Sequence, residues 1–137
     1  MIENINEGAD VVWASVNYTI PNNVEYLYMN GSGLAGAGSI GNDNLGSFGT
    51  GNTLTGNGGN DTFIFVAGSA AGNVITDFNG NGALPGDQLE LIGFGPGATF
   101  TRLDATHWDI GYASGQMHEV ITLSNAASVH PSDVLFV

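Results

Sequence analysis

The hydrophobic pattern reads as β-structure from end to end, with no convincing helical period. Asp10 to Ile20 alternates, with Val12, Ala14, Val16, Tyr18 and Ile20 on one face, which predicts a half-buried strand. Pro21-Asn22-Asn23 predicts a turn, and Val24 to Met29 a second strand closed by Asn30-Gly31. After a glycine-rich stretch, apolar character returns at Phe63 to Val66. Strand patterns follow at Asn73–Phe78 and Gln88–Ile92, around a Gly/Asn/Pro loop, and then near Thr99–Leu103, Thr106–Tyr112 and Glu119–Leu123. A polar segment, Ser124 to Ser132, leads to a terminal D-V-L-F-V. These elements predict an all-β chain.

The glycine-rich stretch has its own period. Half of the 22 glycines fall between Gly31 and Gly59, and there the sequence repeats every nine residues. The best copy is G-N-G-G-N-D-T-F-I, Gly56 to Ile64. An earlier copy is G-S-I-G-N-D-N-L-G, Gly38 to Gly46, and a worn one between them is S-F-G-T-G-N-T-L-T, Ser47 to Thr55. Aligned, the sixth positions read Asp43, Asn52, Asp61 and the eighth read Leu45, Leu54, Phe63. Six turn residues followed by three strand residues describe a parallel β-roll or solenoid, its eighth positions forming an inward apolar ladder. Turns on one side are then two repeats apart, and 61 − 43 = 18 stacks Asp43 and Asp61 across a gap. Two carboxylates with turn backbone oxygens from Gly38, Ile40, Gly41, Gly56, Gly58 and Gly59 suit calcium, a hard cation taking six to eight oxygens; magnesium demands tighter octahedral geometry. The opposite turn offers only Asn52, whose partner 18 residues on is Ala70, so one good site is expected. An open roll end exposes an apolar ladder and an unpaired edge. A capping antiparallel sheet is therefore expected in the last third.

Charge sharpens this reading. At 137 residues the chain is one domain by length, with 13 acidic residues against a single basic one, Arg102, and a formal net charge of −12. Nucleic acid and anionic membrane surfaces need basic patches and are excluded as partners. Hydrophobic residues reach 42%, too many for a permanently disordered acidic tail. The uncompensated charge opposes compaction until cations arrive. With no cysteine, disulfides and thiol chemistry are absent. The acidic start, M-I-E-N-I-N-E-G-A-D, is no signal peptide, no apolar run matches a membrane span, and the chain reads as starting inside a longer protein.

With these residues in hand, the chain resembles the C-terminal block of RTX proteins, whose calcium-binding repeat is the nonapeptide G-G-x-G-x-D-x-U-x. N-V-E-Y-L-Y-M-N-G-S-G, Asn23 to Gly33, is similar to the segment preceding the nonapeptides. T-L-T-G-N-G-G-N-D-T-F-I-F, Thr53 to Phe65, is similar to a last repeat. Val74 to Phe78 with Asp87 to Leu91 resembles the strand pair after the roll, and Asp133 to Val137 the acid-plus-hydrophobics ending of type I secretion signals. Asn57 and Ser39 replace the second glycine in the two better copies, so fewer calcium ions than in a long roll are expected. The resemblance implies N-terminal strands over 1–35, a nonapeptide roll over 36–66, and a capping and secretion-signal region over 67–137. It also implies a non-catalytic module exported by a type I ABC exporter, secreted, joined to an upstream domain, and folding on extracellular calcium. A weak extracellular site binds at about 10⁻⁴–10⁻³ M. Calcium at ten times its dissociation constant would add about 1.4 kcal/mol per site. The alternative is a calcium-dependent polysaccharide-binding or adhesive module, with Tyr26, Tyr28 or Tyr112 exposed to sugars.

Other constellations are weaker. Asp77-Phe-Asn-Gly-Asn-Gly82 opens like an EF-hand loop, but its twelfth position is Gln88 and no helices flank it. A second calcium loop from Asp77, Asn79, Asn81 and Asp87 is the reading kept. His107, His118 and His130 follow no metal-ligand spacing, and Trp13 and Trp108 read as core rather than as a sugar platform. Ser32, Ser39 and Ser47 lack a nucleophile-elbow context, and Gly56–Gly59 lacks the lysine of a phosphate loop, so no enzyme is expected.

Overall fold

Turn residues recur too often for any strand to run long; among the described residues the longest is Met117–Leu123. The computed structural model describes residue 4, residues 8–80, residue 82 and residues 86–137. In chain order the strands are β1 Val11–Ala14, β2 Tyr18–Thr19, β3 Tyr26–Met29, β4 Ala35–Ala37, β5 Asn44–Ser47, β6 Thr53–Thr55, β7 Thr62–Val66 and β8 Val74–Ile75. Then come β9 Gln88–Ile92, β10 Thr99–Arg102, β11 His107–Tyr112, β12 Met117–Leu123 and β13 Val134–Phe136. Among the described residues there is no α-helix, only a short 3₁₀ turn at Pro131–Asp133.

The described strands form two sheets. One runs β1-β3-β5-β7-β9-β13, and every neighbouring pair in it is parallel. The other runs β10-β11-β12-β8-β6-β4-β2 and is antiparallel only from β10 to β12. From β1 to β10, successive strands alternate between the sheets. In the first sheet Tyr26 pairs with Asn44 and Asn44 with Thr62, and in the second Ala35 pairs with Thr53. The offsets are all 18 residues (44 − 26, 62 − 44, 53 − 35). They lengthen to 21 between Thr53 and Val74 and to 26 between Thr62 and Gln88.

This register stacks the apolar positions. Leu27, Leu45, Phe63 and Leu89 are consecutive partners across one sheet, and Leu54, Ile75 and Leu123 across the other; all are fully buried in one cluster. Each such side chain contributes about 1.5–3 kcal/mol of burial. Gly36 interrupts the second rank. A Cβ there would lie 2.7 Å from Met29 Sδ, so Met29 on β3 fills the place that an inward side chain of β4 would have taken. Strand β4 therefore carries no apolar residue at its inward position and had no hydrophobic signal.

The predicted strand over Asp10–Ile20 is two strands. A bend at Ser15-Val16 carries the chain from one sheet to the other, and Val16 ends 63% exposed. Trp13, expected in the core, faces out at 58% exposure, whereas Trp108 is buried. The expected strand over Asn73–Phe78 shortens to β8, because the chain bends at Thr76-Asp77. The antiparallel C-terminal strands are present, but they continue the second sheet through β12 beside β8 rather than forming a separate one. Strand β13 completes the first sheet beside β9.

Candidate cation site

Glycine-rich turns leave backbone N–H groups that no strand pairing reaches, and buried groups of this kind must find acceptors. Here the acceptor is a side chain from the next coil. The Asp43 N–H donates to Asp61 Oδ1 at 2.9 Å, and the Asp61 N–H donates to Asp87 Oδ1 at 2.8 Å. Asp87 Oδ2 also accepts the Asn79 N–H at 2.8 Å. Asp43 itself accepts from the Ser39 N–H at 2.6 Å and from the Ser39 hydroxyl. Asp43, Asp61 and Asp87 thus form a ladder along one edge, all at most 4% exposed.

Burial without a counter-charge disfavours ionised carboxylates. Asp61 is pushed up to about 7, first by burial and then by the carboxylates of Asp87, Asp43 and Asp77, against the lowering effect of the Asp43 N–H. Asp43 is raised by burial, opposed by its Ser39 bonds, with Glu25 adding to the rise. Asp87 is raised by burial, opposed by the Asp61 and Asn79 N–H groups, with Asp77 and Asp133 adding to it. Arg102 lies elsewhere, its guanidinium donating to the carbonyls of Asp104 and Ala105.

The predicted ligand residues are partly brought together. A Cβ on Gly56 would collide with Asp61 Oδ2, so that oxygen lies against the glycine turn. A Cβ on Gly38 would lie 2.7 Å from both Asp43 Oδ2 and the Gly56 carbonyl oxygen. Gly58 stacks on Ile40, its Cβ position 3.3 Å from the Ile40 carbonyl, and Gly59 stacks on the Gly41 carbonyl. Asn57 stands where the repeat wants a second glycine. It adopts the left-handed φ of 73° that asparagine tolerates, and its amide donates to the Gly38 carbonyl at 2.7 Å.

The second loop is used differently from the expectation. Asp77 turns back to the nonapeptide turn, accepting the Gly56 N–H at 2.8 Å and the Asn57 N–H at 2.7 Å. Asp87 belongs to the ladder, Asn79 serves it through its backbone, and Asn81 lies outside the described residues. Sequence reading missed Asp133 as part of this edge. It accepts the Gly82 and His130 N–H groups, and its only sequence signal was an acid ahead of an apolar run.

The opposite edge repeats the scheme with amides. Asn52 is fully buried, and its Oδ1 accepts the Leu34 N–H at 2.8 Å. Its Nδ2 donates to the Gly31 carbonyl at 2.7 Å, to Ser47 Oγ at 2.9 Å and to the Gly49 carbonyl at 3.4 Å. Its own N–H donates to Asn73 Oδ1 at 2.8 Å. The expected partner of Asn52, Ala70, is displaced by Asn73, because this coil is 21 residues long rather than 18. Glu119 from the C-terminal strands continues the row, accepting from the Gly68, Ala70 and Ala71 N–H groups and the Tyr112 hydroxyl.

The acidic edge fits a hard cation in charge and in donor type, since carboxylate and carbonyl oxygens are calcium's ligands. Among the described residues no three of His, Cys, Asp or Glu converge on one point, so a cation here would be held by at most two carboxylates with backbone oxygens. His107 and His118 are exposed and pair with Asp104 and Asp109 instead. Neither protein-family models, curated proteins nor solved structures give a match to this chain.

Proposed function

We propose that the chain is a non-catalytic calcium-binding module of the RTX kind, a parallel β-roll whose acidic edge is completed by Ca²⁺ outside the cell. The observation that carries this reading is Asp61. It is 2% exposed and raised to about 7 by burial and by neighbouring carboxylates, in a chain with one basic side chain that lies elsewhere. A cation supplies the missing charge, and the nine-residue repeat with its 18-residue coil supports the roll. Gly38, Ile40, Gly41, Gly56, Gly58 and Gly59 supply backbone oxygens, and Asp43 and Asp61 the charge. At cytosolic calcium the acidic edge would repel itself, and the chain would stay loose enough to thread a type I exporter. The D-V-L-F-V ending supports that export route by resemblance.

Calcium titration of the calcium-free domain tests the reading. Calcium should raise β-sheet circular dichroism and the melting temperature, magnesium much less, and Asp61→Ala should weaken the calcium response more than Asn52→Ala. Equal melting with and without calcium would refute it.

A polysaccharide-binding reading has one observation in its favour, the outward cluster of Trp13, Tyr28 and Phe48, with Trp13 58% and Phe48 38% exposed. Their rings tilt against one another by 43–80° and pack together rather than offering one plane for a sugar. Tyr112 packs edge-on against Phe94 and donates to Glu119. The calcium reading is therefore preferred.

A further inference from the structure

The two edges are copies of one device, offset by nine residues. Leu34 N–H to Asn52 Oδ1 at 2.8 Å and Asp43 N–H to Asp61 Oδ1 at 2.9 Å are equivalent bonds, since 43 − 34 = 61 − 52 = 9. The second side-chain atoms are equivalent too. Asn52 Nδ2 bonds Ser47 Oγ, and Asp61 Oδ2 lies against Gly56, nine residues after Ser47. In both turns a glycine lies over a carbonyl 18 residues earlier, Gly49 against that of Gly31 and Gly58 3.3 Å from that of Ile40, although left-handed φ falls at Gly51 in one turn and at Asn57 and Gly59 in the other. Carrying Asn52's remaining bonds forward by nine residues maps Gly31 O and Gly49 O onto Ile40 O and Gly58 O. On one edge, then, an amide donates to two turn carbonyls. On the other, a carboxylate oxygen occupies the equivalent place, where it can donate nothing. The assignment of Asn52 is fixed by its partners, since a flipped amide would set its oxygen against the Gly31 carbonyl and its NH₂ against the Leu34 N–H.

We infer that Asn52 is a built-in replacement for the cation: its amide does permanently for the Gly31–Gly49 turn what Ca²⁺ does conditionally for the Ile40–Gly58 turn. Calcium dependence is thereby confined to the Asp43–Asp61–Asp87 edge, while the Asn52–Asn73 edge holds its turns in any calcium concentration. Asp or Asn at the sixth repeat position is the switch between the two states. This rests on the calcium reading for its regulatory meaning, but its structural half stands without it.

The test exchanges the two residues. Without calcium, in EDTA, Asp61→Asn should melt above the wild type, and Asn52→Asp below it. By titration calorimetry D61N should take up one calcium fewer than the wild type and N52D one more. In NMR the side-chain amide introduced by D61N should be protected from hydrogen exchange to a degree comparable with that of Asn52, which separates a new amide bond from mere loss of charge. Failure of the wild type to take up calcium would sink the proposed function alone, leaving the EDTA melts and the exchange data to decide the inference. A D61N protein that melts no higher than wild type in EDTA, or whose new amide exchanges freely, overturns the inference even if the wild type binds calcium. An N52D protein that gains no calcium while the wild type binds it does the same.

Discussion

Raising the pH should destabilise this domain when calcium is absent, and Asp61 sets the size of the effect. Its folded value, about 7, stands above the usual 3.8. The protonated form is therefore the one the fold favours. The stability tied to it is complete below about pH 4 and is lost as pH rises through about 7. The gap of about 3 units corresponds to about 4 kcal/mol at full weight. Asp61 is 2% exposed, but Gly41, Asn42, Asn57, Gly59 and Asn60 around it are open to solvent. Screening by that water leaves about half, roughly 2 kcal/mol. For a chain of this length about 4 °C of melting temperature accompanies each kcal/mol, so a fall of about 8 °C is expected. Asp43 and Asp87 are raised for the same reason and add in the same direction. The assay is thermal unfolding followed by circular dichroism in EDTA from about pH 4.5 to about pH 8. A melting temperature that stays level or rises over that range would refute the reasoning, as would a fall that persists undiminished in Asp61→Asn.

Asn52→Ala should cost about 3 kcal/mol, because it strands the Leu34 N–H and the Gly31 carbonyl next to a fully buried position; denaturant unfolding with and without calcium should show the loss in both. Glu119→Ala should cost a similar amount, about 3 kcal/mol, by orphaning the Gly68, Ala70 and Ala71 N–H groups, and hydrogen exchange should quicken at those three amides first. Deleting residues 133–137 removes β13 from beside β9 and takes away the acceptor of the Gly82 N–H. Lower thermal stability is expected, and, on the proposed export route, reduced secretion of a fused reporter.

Much of this architecture could be read in the residues. Leu45, Leu54 and Phe63 recur every nine residues, and all three are fully buried. Asp43 and Asp61, 18 apart, do meet through a bond between coils. What could not be read has physical causes. Strand β4 has Gly36 at its inward position and depends on Met29 from the other sheet, a contact with no local signature. The break at Ser15-Val16 falls inside an unbroken alternation, since a crossover between sheets can leave the period undisturbed. Asn73 was hidden because the coil after Asn52 gains three residues over 18, so fixed-period counting lands on Ala70. The amide network of Asn52 was read as a poor metal ligand because composition does not distinguish an oxygen turned to a cation from an NH₂ turned to carbonyls.

Exposed Asn17, Ser32 and Asn42 accept from N–H groups later in the chain, but the buried acids and amides share the opposite direction. Six of them accept from an N–H earlier in the chain: Asn52 serves Leu34, Asp61 serves Asp43, Asn73 serves Asn52, Asp87 serves Asp61, Glu119 serves Gly68, and Asp133 serves Gly82. A chain emerging N-terminus first from a ribosome therefore presents these six donors unmet until the following segment arrives. The rows of buried acids and amides are thus completed by residues that appear after the turns they serve.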